Sequence, residues 1–596
     1  MRHRTAKLVL IMSTLVAAGC GTPEHTFAKL AEEFVYTTLS FSPVAATSTG
    51  LHQYKGQNLD EQLDDMSPAA VDHHRQYYER FRQRLQDDVK RDSLPPESRA
   101  DYDIIQDQIS LALLDYQNIQ SVLHNPTLYV ETVGNALFAP FVLDYAPLPA
   151  RMRHIVARLE KLPLFLDEAR NNLASSPPIW TRVAAEENEG NMALLDKTIR
   201  AAAPADQRAD FDRAAGPALA ALRAFQGFLG KELMARDSYD WRLGTDLYTR
   251  KFRFTLASGA DPATVLEAAE RELEAVRARM LEIALPLDRE FFPGHKGGAG
   301  LAGAERENQV IAEVLGHIAA RHSTRDSYIE DAKGDLAEAR RFVGQKRLLT
   351  LPPRSNLQVI PTPEFMRGIY AVGGFNPAPA LEPQLGAFYW ITPIPADWPA
   401  ERVESKLREY NFYKLKLLTM HEAVPGHYVQ FEYANDIQPA YRRLLRAVYG
   451  NGPYIEGWAQ YATDTMLNEG FLDHSPELRL TFQKEELRVI ANAILDIRLQ
   501  MLNMSDAEAL DLMEKRTFQE AEEATAKLQR AKLSSAVLPT YFVGWRGWRQ
   551  VRDKYRQTKG SAFGLAEFHD AALRQGAVPL PVLSDLLAAQ ARGAPL

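Results

Sequence analysis

One cysteine in 596 residues leaves little room for sulfur chemistry. With Cys20 alone, an intramolecular disulfide framework, a cysteine-based zinc site and an iron–sulfur cluster are excluded. Positive charge is scarce as well: 69 Lys and Arg stand against 77 Asp and Glu, a net charge of −8. No overall field therefore favours a phosphate backbone, and no nucleic-acid partner is expected. Gly (34) and Pro (35) are too few for a collagen-like or low-complexity chain, and 46% hydrophobic with 24% charged residues excludes wholesale disorder. No internal repeat of fixed period, no G-x-S-x-G elbow and no phosphate loop is visible. Beyond the N-terminus every hydrophobic stretch is broken by charge or proline, so no second membrane segment is expected.

What is present begins with an address. Arg2, Arg4 and Lys7 precede an apolar run from Leu8 to Ala18, and Ala17, Ala18 and Gly19 stand directly before Cys20. The run is too short to cross a bilayer comfortably, where about twenty residues are needed, but suits an export signal. Its Ala-Ala-Gly-Cys ending resembles a bacterial lipobox, with Ala17 where Leu or Val is more usual. Residues 1–20 are thus expected to be a lipoprotein signal peptide, with Cys20 as the lipidation site and the membrane touched only through that anchor. Gly21, where Asp would favour inner-membrane retention, points to the cell envelope of a Gram-negative bacterium and an outer-membrane anchor facing the periplasm.

From Thr26 onward apolar residues recur at three- and four-residue spacing, as in Leu159, Leu162, Leu166 and Ala169, or Val265, Leu266, Ala269, Leu273, Val276 and Met280. Asp261-Pro262 and Ser505-Asp506 read as helix starts, the latter with Glu508 in capping-box position. Breaks are expected near Ser93–Pro96, Ser175–Pro178, Pro286–Gly303 and Leu351–Ser355. The third would separate an N-terminal helical half (21–290) from a catalytic half (291–596), the two forming one continuous family domain. Strand signals are confined to Leu357–Pro361 and Ala387–Pro393. The fold class expected is mainly α, with a small β-sheet, and Phe388–Thr392 is a candidate edge strand for an extended peptide. Trp545 and Trp548 among Arg546, Arg549, Arg552 and Arg556 read as core tryptophans under a solvated face, and His73-His74 as surface.

The chemistry is concentrated in His421-Glu422-Ala423-Val424-Pro425-Gly426-His427. In the zincin pattern H-E-x-x-H, histidines four apart face one metal and the intervening Glu serves as general base. Here the spacing is six, which on an undisturbed helix turns His427 about 240° from His421. Pro425 lacks the N–H that would bond to the His421 carbonyl, and Gly426 adopts conformations closed to other residues. The helix must deform between the histidines, and an expanded or broken turn would return His427 to the metal. Glu456, in a segment that starts on Gly452-Pro453, is the candidate third ligand on a facing helix. Two His and one Glu would leave a fourth position on Zn2+ for water, with Glu422 as the base.

At these residues the sequence resembles the bacterial family known as domain of unknown function 885, in its lipoprotein branch, which carries H-E-x-x-P-G-H followed by E-G-W-A-x-Y. The resemblance extends to Pro43–His52, Asn125-Pro126, Tyr389–Pro393, Phe568–Asp570 and Leu580–Val582. It implies a large helical, zincin-like metallopeptidase or amidohydrolase fold with the sheet beside the active-site helix. His421, Glu422, His427 and Glu456 match the family's metal-and-base set. Arg530 and Tyr541 match positions that look functional there: the hydroxyl would donate to a developing oxyanion and the guanidinium pair with a substrate carboxylate. Equally, Tyr541 is a hydrogen-bonded core phenol and Arg530 a structural ion pair. Thr463, Val537 and Gln500 depart from the family pattern, which bears on substrate preference more than on the metal.

The expected function is a lipid-anchored zinc metallopeptidase that hydrolyses amide bonds of short peptides in the cell envelope. The alternatives are a zinc amidase acting on peptidoglycan stem peptides and a non-catalytic, peptide-binding envelope lipoprotein.

Overall fold

Many helices in this chain start on proline. Pro23, Pro68, Pro96, Pro126, Pro178, Pro262, Pro476 and Pro539 each stand in a first turn, where the missing N–H leaves no bond unmade and φ is already helical. Ahead of several of them the side chains of Thr22, Ser67, Asn125, Asp261 and Ser475 accept from first-turn amides. The expected capping box of Ser505 and Glu508 forms with both bonds. The result, in a computed structural model that describes residues 22–236, 238–294, 303–363, 366–367 and 372–592, is a mainly α protein with few strands. The lipidation candidate Cys20 and most of the glycine-rich segment after Gly294 lie outside the described residues.

Near the N-terminus run α1 (Pro23–Ser40) and α2 (Pro96–Leu114). Four helices follow as a group: α3 (Pro126–Val142), α4 (Leu148–Asn172), α5 (Pro178–Ala193) and α6 (Arg208–Lys231). They enclose their own apolar core around Val133, Ile155, Leu159, Leu162, Ala184, Leu222 and Phe225. Then come α7 (Pro262–Phe291), α8 (Phe412–Glu422), α9 (His427–Ala434), α10 (Gly452–Asn468), α11 (Pro476–Met501), α12 (Ala521–Leu533) and α13 (Pro539–Lys559). The largest core joins α1 and α2 to these later helices, through Phe34 and Ile105 on one side and Trp458, Ile490 and Trp545 on the other.

Helix α7 runs straight through Pro286, where a break is expected from sequence. An interior proline costs a helix about 3 kcal/mol. Here Met280, Ala284 and Leu287 are buried on either side of it, and packing on α11 offsets that cost. On α13, Trp545 and Trp548 are wholly buried while Arg549 lies outside, over the Trp545 ring. His73 is exposed, but His74 is half-buried and stacks on Phe41 at 4.0 Å.

A hairpin of β1 (Gln53–Tyr54) and β2 (Gln57–Asn58) is separate from the main sheet. That sheet has the order β3 (Leu357–Pro361), β5 (Ala387–Ile391), β4 (Gly373–Asn376), with β3 parallel and β4 antiparallel to β5. The candidate edge strand is therefore the central one, and β3 and β4 are the edges. Every residue of β5 is buried: Phe388 and Trp390 enter the α3–α6 core, while Tyr389 and Ile391 enter a cluster under α8. That two-sided burial explains its unbroken apolar sequence. The Tyr389 hydroxyl lies 3.2 Å from Thr419 Oγ1, which places the sheet beside α8.

Candidate metal centre

Helix α8 opens on Asn411, whose side chain accepts from the amides of Tyr413 and Lys414, and it ends at Glu422. Ala423 leaves helical geometry (φ −113°, ψ −91°), and the Gly426 amide reaches back to donate to Met420 O at 2.9 Å. A new helix then starts at His427. Glycine is needed at 426 because a Cβ there would lie 1.9 Å from His421 O and 2.5 Å from Met420 O. The loop carbonyls of Pro425 and Gly426 both accept from Trp458 Nε1, at 3.0 and 3.2 Å. Trp458 thus ties the broken turn to α10, two residues from Glu456.

Helix α10 is itself held against α13 by a glycine contact. A Cβ on Gly457 would lie 2.3 Å from the Gly544 carbonyl carbon, so the two backbones touch. Tyr541 is one turn before Gly544 and consequently faces the region of Glu456.

The break brings the two imidazoles together, with ring centroids 4.8 Å apart. Glu456 Oε2 lies 3.5 Å from His421 Nε2 and 3.4 Å from His427 Nε2. Ligands about 2.1 Å from a tetrahedral divalent ion stand about 3.4 Å from one another; the two separations from Glu456 match that value, and all three ligand atoms lie within 4.8 Å of one another. The same Glu456 oxygen is buried without a hydrogen-bond partner among the described residues, as is His427 Nδ1. Burial would raise the Glu456 carboxyl, but His427 and His421 outweigh it and hold the group well below the usual carboxylate range. Burial would lower His427, and Glu456 together with Glu422 reverses that. The cluster is an anionic oxygen and two nitrogens converging on one point, the donor set that a cation satisfies. Among the described residues no other group of three His, Cys, Asp or Glu is so arranged.

His421 and Glu422 line a cavity of about 580 Å³, and Tyr541 and Arg530 line it too. Burial, then the Glu456 charge, raises the Tyr541 phenol, with Arg530 opposing, so the hydroxyl keeps its proton. No described residue pairs with Arg530 or hydrogen-bonds the Tyr541 hydroxyl, which leaves the ion-pair and core-phenol readings without a partner to support them. Thr463 and Val537 also line the cavity. Gln500 does not; it accepts from the Leu243 amide at 2.8 Å and has a structural place.

Several contributors have no signal in the motif. Lys414, Glu485, Arg488 and Glu523 form a buried ion-pair network along one wall, with Lys414 bound to Glu485 and Arg488 to Glu523 at 2.5 Å. Glu131 and Glu187, from α3 and α5, line another. Trp458 lies in the E-G-W-A-x-Y stretch, but nothing in the sequence signals its bond to the broken turn.

A comparison with curated proteins finds no match. Among solved structures, the chain is similar to a candidate lipoprotein of unknown function from Shewanella oneidensis, with 27% identity and a TM-score of 0.76 over 94% of this chain and 99% of that one. A candidate lipoprotein from Colwellia psychrerythraea, 17% identical, shares the fold at a TM-score of 0.76 over 96% of this chain and all of its own. A family model described as a bacterial protein of unknown function, DUF885, matches residues 43–587, and the chain belongs to that family.

Proposed function

We propose that this protein is a zinc-dependent amide hydrolase of the cell envelope that cleaves short peptides. The observation that carries the reading is the convergence of His421, His427 and Glu456 across a broken helix, with Glu422 facing the adjoining cavity. His421, His427 and Glu456 would hold Zn2+, which supplies Lewis acidity to polarise an amide carbonyl and to acidify a water. Glu422 takes the proton from the attacking water and passes it to the departing amine. The Tyr541 hydroxyl donates to the oxygen on which charge develops, and Arg530 pairs with a substrate carboxylate. The cavity of about 580 Å³ suits a peptide of a few residues and excludes a folded protein. Cys20 anchors the chain through lipid, in keeping with the Shewanella relative's description as a candidate lipoprotein. No helix among the described residues is long and apolar enough to cross a membrane.

The test is elemental mass spectrometry on protein purified without added metal and without a histidine tag, followed by turnover of a peptide library. About one zinc per chain is expected. Glu422→Gln should abolish turnover and keep the zinc, while Tyr541→Phe should lower kcat by about 100- to 1,000-fold. No zinc, even after zinc is supplied and the excess washed off, refutes the reading.

A further inference from the structure

Two walls of the cavity beside the metal centre carry different titratable groups. On the side of α8 and α11, Lys414 and Arg488 are paired with Glu485 and Glu523, and burial pushes Lys527 of α12 well below its ordinary value, which leaves Arg530 as the cation of that wall without an ion-pair partner among the described residues. The wall made by α3 and α5 instead presents Glu131 and Glu187. Glu187 is only 6% exposed, and among the described residues its Oε2 has no hydrogen-bond partner. Burial first, then Glu131 and Glu186, push its carboxyl up to about 8, and no neighbouring cation opposes them.

The side chain is rigidly presented. Asn188, next to it, donates to Leu222 O at 3.0 Å, and Asn191, one turn on, donates to Val130 O at 2.8 Å. These two bonds lock α5 to α6 and α3. A desolvated carboxyl beside a second carboxylate resists ionisation, and it takes its charged form at neutral pH only when a cation pairs with it. A cation from outside the chain would supply that partner. A metal ion is a poor fit, because two carboxylates without a third ligand do not make a metal-binding group here. An alkylammonium fits: it brings three N–H donors, and Glu187, Glu131 and the nearby Asn135 all face the same cavity.

We propose that Glu187 and Glu131 form an ammonium-binding subsite, so that this cavity selects ligands carrying a primary amine. The inference rests on the peptide-hydrolase reading for what occupies the rest of the cavity. The amine is either a peptide's free N-terminus or a lysine side chain, and one experiment separates the two.

The full chain, purified in detergent and supplied with zinc, is titrated with Ala-Ala-Ala, N-acetyl-Ala-Ala-Ala and N-acetyl-Ala-Lys-Ala. Affinity is read as KM where a probe is turned over and as a calorimetric Kd where it is not. At least one amine-bearing probe should bind 10-fold or more tightly than N-acetyl-Ala-Ala-Ala. Preference for Ala-Ala-Ala assigns the subsite to the N-terminus, and preference for N-acetyl-Ala-Lys-Ala assigns it to a basic side chain. Glu187→Gln should erase that preference while zinc content stays at the wild-type value. Should that variant fail to fold, Glu131→Gln, whose side chain is open to the cavity, should weaken the preference several-fold. Equal affinity for all three probes, no binding of any, or a preference that survives in folded Glu187→Gln overturns the proposal. Amine selectivity without turnover would refute the hydrolase reading alone, and turnover without selectivity would refute the subsite alone.

Discussion

A methyl group at position 426 tests the logic of the metal centre most directly. In Gly426→Ala the new Cβ would stand 1.9 Å from His421 O, where contacts below 3.0 Å are essentially never seen. The broken turn must therefore open by at least about 1.1 Å, against backbone atoms that cannot rotate aside. Trp458 Nε1, bonded to the Pro425 and Gly426 carbonyls, resists that opening from α10. Metal–ligand distances tolerate only about 0.2 Å of error, so the opening is about five times what His421 and His427 can absorb and still share an ion. Disturbing the support of a ligand costs 10- to 100-fold in affinity, and displacing the ligand itself should cost at least the upper figure, about 2.7 kcal/mol. Zinc affinity is measured by competition with a chromophoric chelator, and thermal melting without metal reports whether the variant folds. A folded Gly426→Ala that binds zinc within about threefold of wild type would show that the turn does not set the ligand geometry, and the argument from the broken helix would fall.

Two further outcomes follow from residues away from the centre. His569 is buried and neutral: its Nδ1 bonds Leu348 O at 2.7 Å and its Nε2 lies 2.9 Å from the Tyr461 hydroxyl. Burial takes its pKa down to about 4, below the ordinary value of 6.5, so its contribution is fully present above pH 6.5 and is lost as pH falls towards 4. The full loss is roughly 3 kcal/mol, and the fall in urea-unfolding stability from pH 7 to pH 4.5 should be smaller in His569→Gln than in wild type by most of that amount. Gly227, inside α6 with nothing within 4 Å of where a methyl group would stand, should gain about 0.5–1 kcal/mol on replacement by Ala, and a lower melting temperature would contradict that.

The part of the site legible in sequence is the part carried by punctuation. Pro425-Gly426 between two histidines announces a broken helix, and Gly452-Pro453 announces the helix that carries Glu456. The strand Leu357–Pro361 is legible from its β-favouring residues and has the expected bounds. The partner strand Gly373–Asn376 is not, because two of its four residues are glycines; it exists through main-chain pairing with β5, where a Cβ on Gly373 would lie 2.4 Å from Trp390 O. Pro286 misleads in the other direction, since local propensity yields to the packing of α7 on α11. Glu131 and Glu187, far apart in sequence on separate helices, look like any solvated carboxylates until the fold buries one beside the other.

The division of labour between the two cores explains why a short motif needs so long a chain. His421, His427 and Glu456 are fixed by the large core, through α8, α9, α10 and the Gly457–Gly544 contact that also aims Tyr541. Helices α8, α10, α11 and α12 line most of the cavity, and α3 and α5, which belong to the other core, close it with Thr127, Val130, Glu131, Val183 and Glu187. The cores are joined nearby where Trp180 Nε1 donates to Lys532 O at 2.6 Å, linking α5 to the end of α12, the helix that carries Arg530. A shift of α5 relative to α12 would therefore change the separation between the Glu187 carboxyl and the Arg530 guanidinium while leaving the ligand geometry untouched. On the proposed reading, ligand length and charge depend on one packing interface and the metal on another, so substitutions in the α3–α6 core should alter KM and selectivity at constant zinc content.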